Sequence, residues 1–250
     1  MLSGKSILVT GSSQGIGLEL VKQLSNQKPG PAFIFATCRQ PDKASDLKCI
    51  ASKNENVHII QCDITVQSSI ERCVNDVTRL VGDSGLNVLI NNAGVLIRMS
   101  LDDISAEKMM ECYKVNAVGP ALMCNSFLPL LKNAAECNKD QAIGCNRAAI
   151  VNISSLTSSI SDNRSGGHYA TRPAKCALNI ITKSLSVDLK KFGICANTVD
   201  PGFVRTESTK GMNARMDPNE SVAGILKVIS EISEYQNGLL LKYNGAVIPW

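Results

Sequence analysis

Short apolar, β-branched runs alternate along the 250-residue chain with longer stretches in which apolar residues recur every three or four positions. The first pattern suits strands covered on both faces, and the second suits helices with one buried stripe. Strands are predicted at 6–10, 32–37, 57–62, 86–90, 148–153, 195–199 and 238–242, and helices at 16–26, 68–81, 105–118, 122–135 and 174–191. Regular alternation of the two predicts an α/β fold, a doubly wound, mostly parallel sheet of seven strands flanked by helices. No linker, repeat or low-complexity tract breaks the pattern, so residues 1–250 are expected to form one domain. The polar segment 136–147 reads as a solvent loop, and 203–217 as a mobile excursion.

Composition adds exclusions rather than an activity. The chain is 44% hydrophobic and 19% charged, as soluble globular proteins are. A net charge of +4 without any basic run gives no reason to expect nucleic acid or a membrane surface as a partner. The longest apolar stretches, such as 32–36, fall far short of the ~18–20 residues that a bilayer span needs. No cationic start followed by a long apolar run is present, and Ile7 onward is needed for the first strand, so no cleaved signal peptide is expected. The 10 cysteines are spread evenly, without a C-x-x-C pair or a nearby histidine. They read as reduced, small hydrophobes in a cytoplasmic protein, and no metal site is expected.

The chemistry begins where the first strand meets the first helix, at Thr10-Gly11-Ser12-Ser13-Gln14-Gly15-Ile16-Gly17. Gly11 permits a tight turn, Gly15 lets backbone approach a pyrophosphate, and Gly17 lets helix and strand pack closely. The helix start offers unpaired N–H groups and a positive dipole to an anion, which adds Ser13, Gln14 and Ile16 to the candidate cofactor contacts. After the second strand, the acid that would bind the two adenosine-ribose hydroxyls of NAD is missing: Cys38 and Arg39 stand there instead. A guanidinium suits a 2′-phosphate, which favours NADP; the other reading of Arg39 is a solvated charge with relaxed cofactor choice. Asp63-Ile64, at the end of the third strand, should lie beside the adenine, unless Asp63 only caps the next helix.

These residues resemble the short-chain dehydrogenase/reductase family. Residues 10–17 match its T-G-x3-G-x-G turn, and Asn91-Asn92-Ala93-Gly94 its N-N-A-G motif. Lys114-Val115-Asn116 carries its helix asparagine, Val151-Asn152-Ile153-Ser154-Ser155 its serine strand, and Pro201-Gly202-Phe203-Val204-Arg205-Thr206 its P-G-x-V-x-T clamp. Residues 35–39 and 161–163, with the ending at Pro249-Trp250, look like the branch of sniffer-type carbonyl reductases and C-factor-like proteins. The resemblance implies hydride exchange between NADP and a small carbonyl substrate, with Asn91, Ala93, Gly94, Pro201, Gly202, Val204 and Thr206 around the cofactor. It further implies that Asn116 orders a water, that Ser155 binds the substrate oxygen, and that Lys175 holds the nicotinamide ribose. A homodimer is expected by analogy alone. Ser155 is preferred over Ser154 because neighbours on an extended chain face opposite ways.

The sequence departs from the family at the proton donor. Aligning Lys175-Cys176-Ala177-Leu178-Asn179 with the K-A-A-L-N block places Thr171, not tyrosine, four residues before Lys175. Tyr169 lies six residues before that lysine, and on a helix six residues end roughly 120° away from the face that four regain. Tyr169 could therefore serve as the catalytic residue only where the backbone is not yet helical, which Pro173 makes conceivable. Otherwise it lines the mouth of the pocket. His168, in a glycine-rich loop, reads as a surface residue rather than an acid. Two functions follow: an NADP-dependent carbonyl reductase with altered or weakened acid catalysis, or a catalytically silent NADP-binding sensor or scaffold.

Overall fold

The structure is a computed structural model and describes residues 5–250. Its centre is one sheet of eight strands: β1 (Ser6–Thr10), β2 (Phe33–Cys38), β3 (Val57–Gln61), β4 (Val88–Asn91), β5 (Ala149–Ile153), β6 (Cys195–Asp200), β7 (Leu240–Lys242) and β8 (Val247–Ile248). The order across the sheet is β3-β2-β1-β4-β5-β6-β7-β8, parallel from β3 to β7. The doubly wound fold is as predicted, with one strand more than the seven expected. The extra strand, β8, has two residues paired antiparallel to β7, too few to leave a periodic signal.

Alternation along each strand divides the core. Ile7 and Val9 of β1 face one side of the sheet, together with Ile34, Ala36, Val88 and Ile90. Against them lie α1 (Gly15–Ser25), α2 (Ser45–Ala51) and α7 (Pro218–Glu231), through Leu20, Leu24, Leu47, Ile225 and Ile229. Leu8 faces the other side with Phe35, Leu89 and Ile150. There α3 (Gln67–Val81) and α5 (Gly119–Cys137) bury Ile70, Val77, Met123, Phe127 and Leu131. Both faces of the sheet are thus dry, which is why its strands read as continuous apolar runs.

Two departures from the predicted elements bear on the site. Instead of two separate helices at 105–118 and 122–135, helical backbone runs from α4 (Ala106–Tyr113) through a π turn, Lys114–Val118, into α5. A π turn inserts one extra residue and often marks a functional position; here it carries Asn116, fully buried. The predicted helix 174–191 begins earlier, as α6 (Thr171–Asp188), so Thr171 is already its first residue and Pro173 sits in its first turn. Helix α7 was not predicted, although Asp217 accepts from the Asn219 N–H at its start and Pro218 opens it, a normal start signal. The excursion 203–217 closes on itself: Arg205 N–H donates to the Met216 carbonyl and Met216 N–H to the Phe203 carbonyl.

Phe127 is fully buried among residues of α3, α5 and the sheet. Phe127→Ala should therefore lower stability by about 3–5 kcal/mol, read as a shifted urea midpoint with an unchanged slope.

Candidate functional site

The order of the strands reverses between β1 and β4, the place in such sheets where a crevice opens at the carboxyl ends. Here the two chain segments nearly touch. A Cβ on Gly11 would lie 2.8 Å from the Ala93 Cα, and one on Gly17 would lie 2.2 Å from the Gly11 carbonyl oxygen. Gly11 and Gly15 also hold left-handed backbone, at φ +68° and +58°, which side-chain-bearing residues rarely adopt. Thr10 Oγ1 accepts from Asn92 and Ala93 N–H, both at 3.0 Å, and Asn92 Nδ2 donates to the carbonyls of Thr10 (2.8 Å) and Gly11 (3.2 Å). At the start of α1, Gln14 makes no side-chain cap, so the first helical N–H groups remain open to an anion.

A cavity of about 460 Å³ runs from this turn across the crevice. Gly11, Ser13, Gln14, Gly15 and Ile16 line its first part, with Arg39, Asp63 and Ile64 at the ends of β2 and β3. Ala93, Gly94, Pro201, Gly202, Val204 and Thr206 continue the wall. Two predicted cofactor residues do not line it. Gly17 stands behind the turn, where its bare Cα permits the close packing, and Asn91 is sunk in the sheet, donating to Asn152 Oδ1 at 2.8 Å and Cys124 Sγ at 3.4 Å. Its neighbour Asn92 lines the cavity instead, because alternation turns one asparagine of the pair inward and the other toward the crevice.

Beside the turn, a polar recess collects Arg39, Lys43 and Arg72 with Ser13 and Gln14. Three cations surround it, two from the segment after β2 and one from α3, and the carboxylate within it, Asp63, is engaged elsewhere. Asp63 Oδ1 accepts from Thr65 N–H (2.9 Å) and Oγ1–H (2.7 Å). Burial opposes its ionisation, but those bonds, with nearby Arg39 and Lys114, outweigh it and hold the carboxyl below its ordinary range. Lys43 and Arg72 had no local signal, since exposed basic residues on helices are commonplace.

At the other end of the cavity lie Asn116, Ser155, His168, Thr171 and Lys175. Asn116 is locked by its amide: Oδ1 accepts from Val95 N–H (2.9 Å) and Nδ2 donates to the Val95 carbonyl (2.8 Å). Ser155 faces the cavity and pairs with Thr157 Oγ1 at 2.9 Å, whereas Ser154 is buried and bonded to Asn179 at 2.7 Å. Lys175 Nζ donates to the Ile153 carbonyl at 2.6 Å. Loss of water around its amine pulls its pKa down to about 8, slightly opposed by the neighbouring Cys112. Thr171 is buried and fully engaged: Oγ1 donates to the Ile97 carbonyl (3.1 Å) and accepts from Ile97 N–H (3.2 Å).

Tyr169 precedes α6, so the helical phase that weighed against it does not apply. Even so, it is not among the cavity's lining residues; it packs in an apolar cluster with Met99, Met109, Cys112 and Ala174. His168, read as a surface residue, is only partly exposed and lines the cavity. Asp200, at the end of β6, was also missed: its carboxylate accepts from Leu156 N–H (2.7 Å) and Gly202 N–H (3.2 Å), fastening the loops after β5 and β6 to each other. Burial raises its pKa, partly offset by those two bonds and Lys242.

The sequence profile of the short chain dehydrogenases matches residues 5–217. The chain belongs to that family. Among solved structures, this short chain dehydrogenase is similar to the carbonyl reductase Sniffer of D. melanogaster, at 38% identity and TM-score 0.96 over 99% of this chain and 100% of that one. It is also similar to a carbonyl reductase from chicken fatty liver, in an NADPH-bound crystal structure, at 37% identity and TM-score 0.94 over 99% of each chain. The C-signal protein of Myxococcus xanthus is 32% identical over 166 residues, covering 66% of this chain and 93% of that protein.

Two stability measurements probe the site. Asp200→Ala leaves two partly buried N–H groups without their acceptor and should cost about 1–3 kcal/mol in urea unfolding. For Lys175 the folded pKa, about 8, lies below the ordinary 10.5, so between those values the unfolded chain binds the extra proton. Stability relative to Lys175→Met should then rise with pH from about 8 to 10.5 and stay flat below 8.

Proposed function

We propose that this chain binds NADPH and reduces a small carbonyl compound, with a proton donor other than residue 171. The observation that carries this is the continuous cavity joining the glycine turn to Asn116, Ser155 and Lys175. The residues fit a dinucleotide: a cradle that any Cβ would fill, open helix N–H groups, and a three-cation recess placed for a 2′-phosphate. The turn at residues 11–17 would take the pyrophosphate, Arg39 with Lys43 and Arg72 the 2′-phosphate, and Asp63 and Ile64 the adenosine. Pro201, Gly202, Val204 and Thr206 would close over the nicotinamide half. When bound, the cofactor supplies a hydride to the carbonyl carbon.

The protein's own residues then orient and complete the reaction. Ser155 has a hydroxyl facing the cavity to bind the carbonyl oxygen. Lys175, as an ammonium, would hold the nicotinamide ribose, and Asn116, fixed by Val95, would anchor a water between that lysine and solvent. Thr171 cannot follow the family's tyrosine in giving up a proton, because its hydroxyl is spent on Ile97 and an alkyl alcohol is far less acidic than a phenol. That same engagement supports a second reading, a silent NADP-binding sensor or scaffold.

Calorimetry and NADPH oxidation in the presence of quinones and reactive aldehydes divide the two readings. NADPH should bind at least ten-fold more tightly than NADH, and Arg39→Glu should erase the difference. With a positioned acid other than residue 171, turnover is expected at least roughly 10²-fold above the enzyme-free rate, the lower end of what such an acid contributes. Tight NADPH binding without turnover above the enzyme-free rate establishes the silent reading, and absence of binding sinks both.

A further inference from the structure

We infer that His168 is the proton donor to the substrate oxygen, an assignment that rests on the reductase reading. Four observations converge on it. His168 lines the same cavity as Ser155, Thr171 and Lys175, which the reductase reading places at the substrate oxygen. Its imidazole has no hydrogen-bond partner among the described residues, so both ring nitrogens are available to a ligand. Among the described residues it is the one non-glycine with positive φ, at +55°. Such a conformation is uncommon for residues other than glycine and concentrates at functional sites. Its main chain is nevertheless fixed, since the His168 carbonyl accepts from Arg172 N–H at 3.0 Å and Tyr169 N–H donates to the Met99 carbonyl at 3.1 Å.

The other proton carriers at that end are committed. Thr171 donates to Ile97, Lys175 donates to Ile153 and is assigned to the nicotinamide ribose, and the Tyr169 ring packs among methionines. Glu111 lines the cavity too, but the step calls for a group that exchanges protons readily near neutral pH. An imidazole is the ordinary side chain that exchanges protons in that range. In the step itself, the carbonyl carbon accepts a hydride, with its two electrons, from the reduced dinucleotide, and the C=O π pair moves onto oxygen. His168 gives its N–H proton to that oxygen, leaving a neutral imidazole that water at the cavity mouth reprotonates.

The test uses binding as well as rate. The chain has two histidines, His58 and His168, so ¹⁵N-labelled imidazoles give two sets of signals, assigned with His58→Gln. Adding a simple naphthoquinone to the NADP⁺-saturated protein, where no hydride can move, should shift the His168 signals and leave those of His58 in place. His168→Gly keeps a residue suited to left-handed backbone. It should lose roughly 10²–10⁴-fold in kcat with NADPH affinity unchanged within two-fold, and free imidazole should restore at least ten-fold. Unchanged turnover in His168→Gly overturns the assignment while the reductase reading stands. So does a loss that imidazole cannot rescue with NADPH binding intact, or a quinone that is reduced without moving the His168 signals. A wild-type protein with no turnover defeats the reductase reading and this assignment together.

Discussion

The site depends on one close approach, that of the Gly11 backbone to Ala93 across the point where the order of the sheet reverses. Any side chain at Gly11 would collide with the Ala93 Cα, so the turn after β1 and the loop after β4 can meet only because glycine stands there. Thr10 then converts contact into attachment by taking both N–H groups of Asn92 and Ala93 on one oxygen, while Asn92 returns two bonds to the turn. Four hydrogen bonds bind residues about eighty positions apart. Everything farther along the cavity inherits its position from this joint: Gly94 follows Ala93 directly, and the Asn116 carboxamide and Lys175 amine lie just beyond it.

Much of this was legible in the sequence because the signals were local. Seven strands follow from apolar runs, the dinucleotide turn from the glycines after the first of them, and the preference for Ser155 over Ser154 from alternation. The failures share a different character. Whether Asn91 or Asn92 faces the crevice depends on which residue happens to end β4, and strand ends are weakly encoded. Lys43 and Arg72 are ordinary surface cations until the fold places α3 beside the loop after β2. Asp200 has no motif of its own; its part appears only when the loops after β5 and β6 come within reach of one carboxylate.

The reading of residues 168–171 shows how a local argument can be sound and still insufficient. Helical phase correctly separated positions 169 and 171, but α6 starts at Thr171, so the phase did not govern Tyr169. Packing settled its orientation instead, because Met99, Met109 and Ala174 offer its half-buried ring an apolar surface. His168, with a left-handed backbone, leaves the loop in a direction that no periodicity describes.

Thr171 belongs to a wider arrangement in the segment after β4. Val95 is held by the side chain of Asn116 through both its N–H and its carbonyl, Ile97 in the same way by Thr171, and the Met99 carbonyl by Tyr169 N–H. Every second residue is pinned, as along the edge of a sheet, yet among the described residues no strand lies alongside; two side chains and one backbone N–H stand in for it. Val95 and Leu96 of this edge line the cavity, so that part of its wall is held by bonds already in place rather than assembled around an incoming molecule. A tyrosine at 171 could not hold Ile97 in this way, because its hydroxyl sits at the far end of a ring. In this chain the hydroxyl at position 171 works as a fastener for the segment after β4.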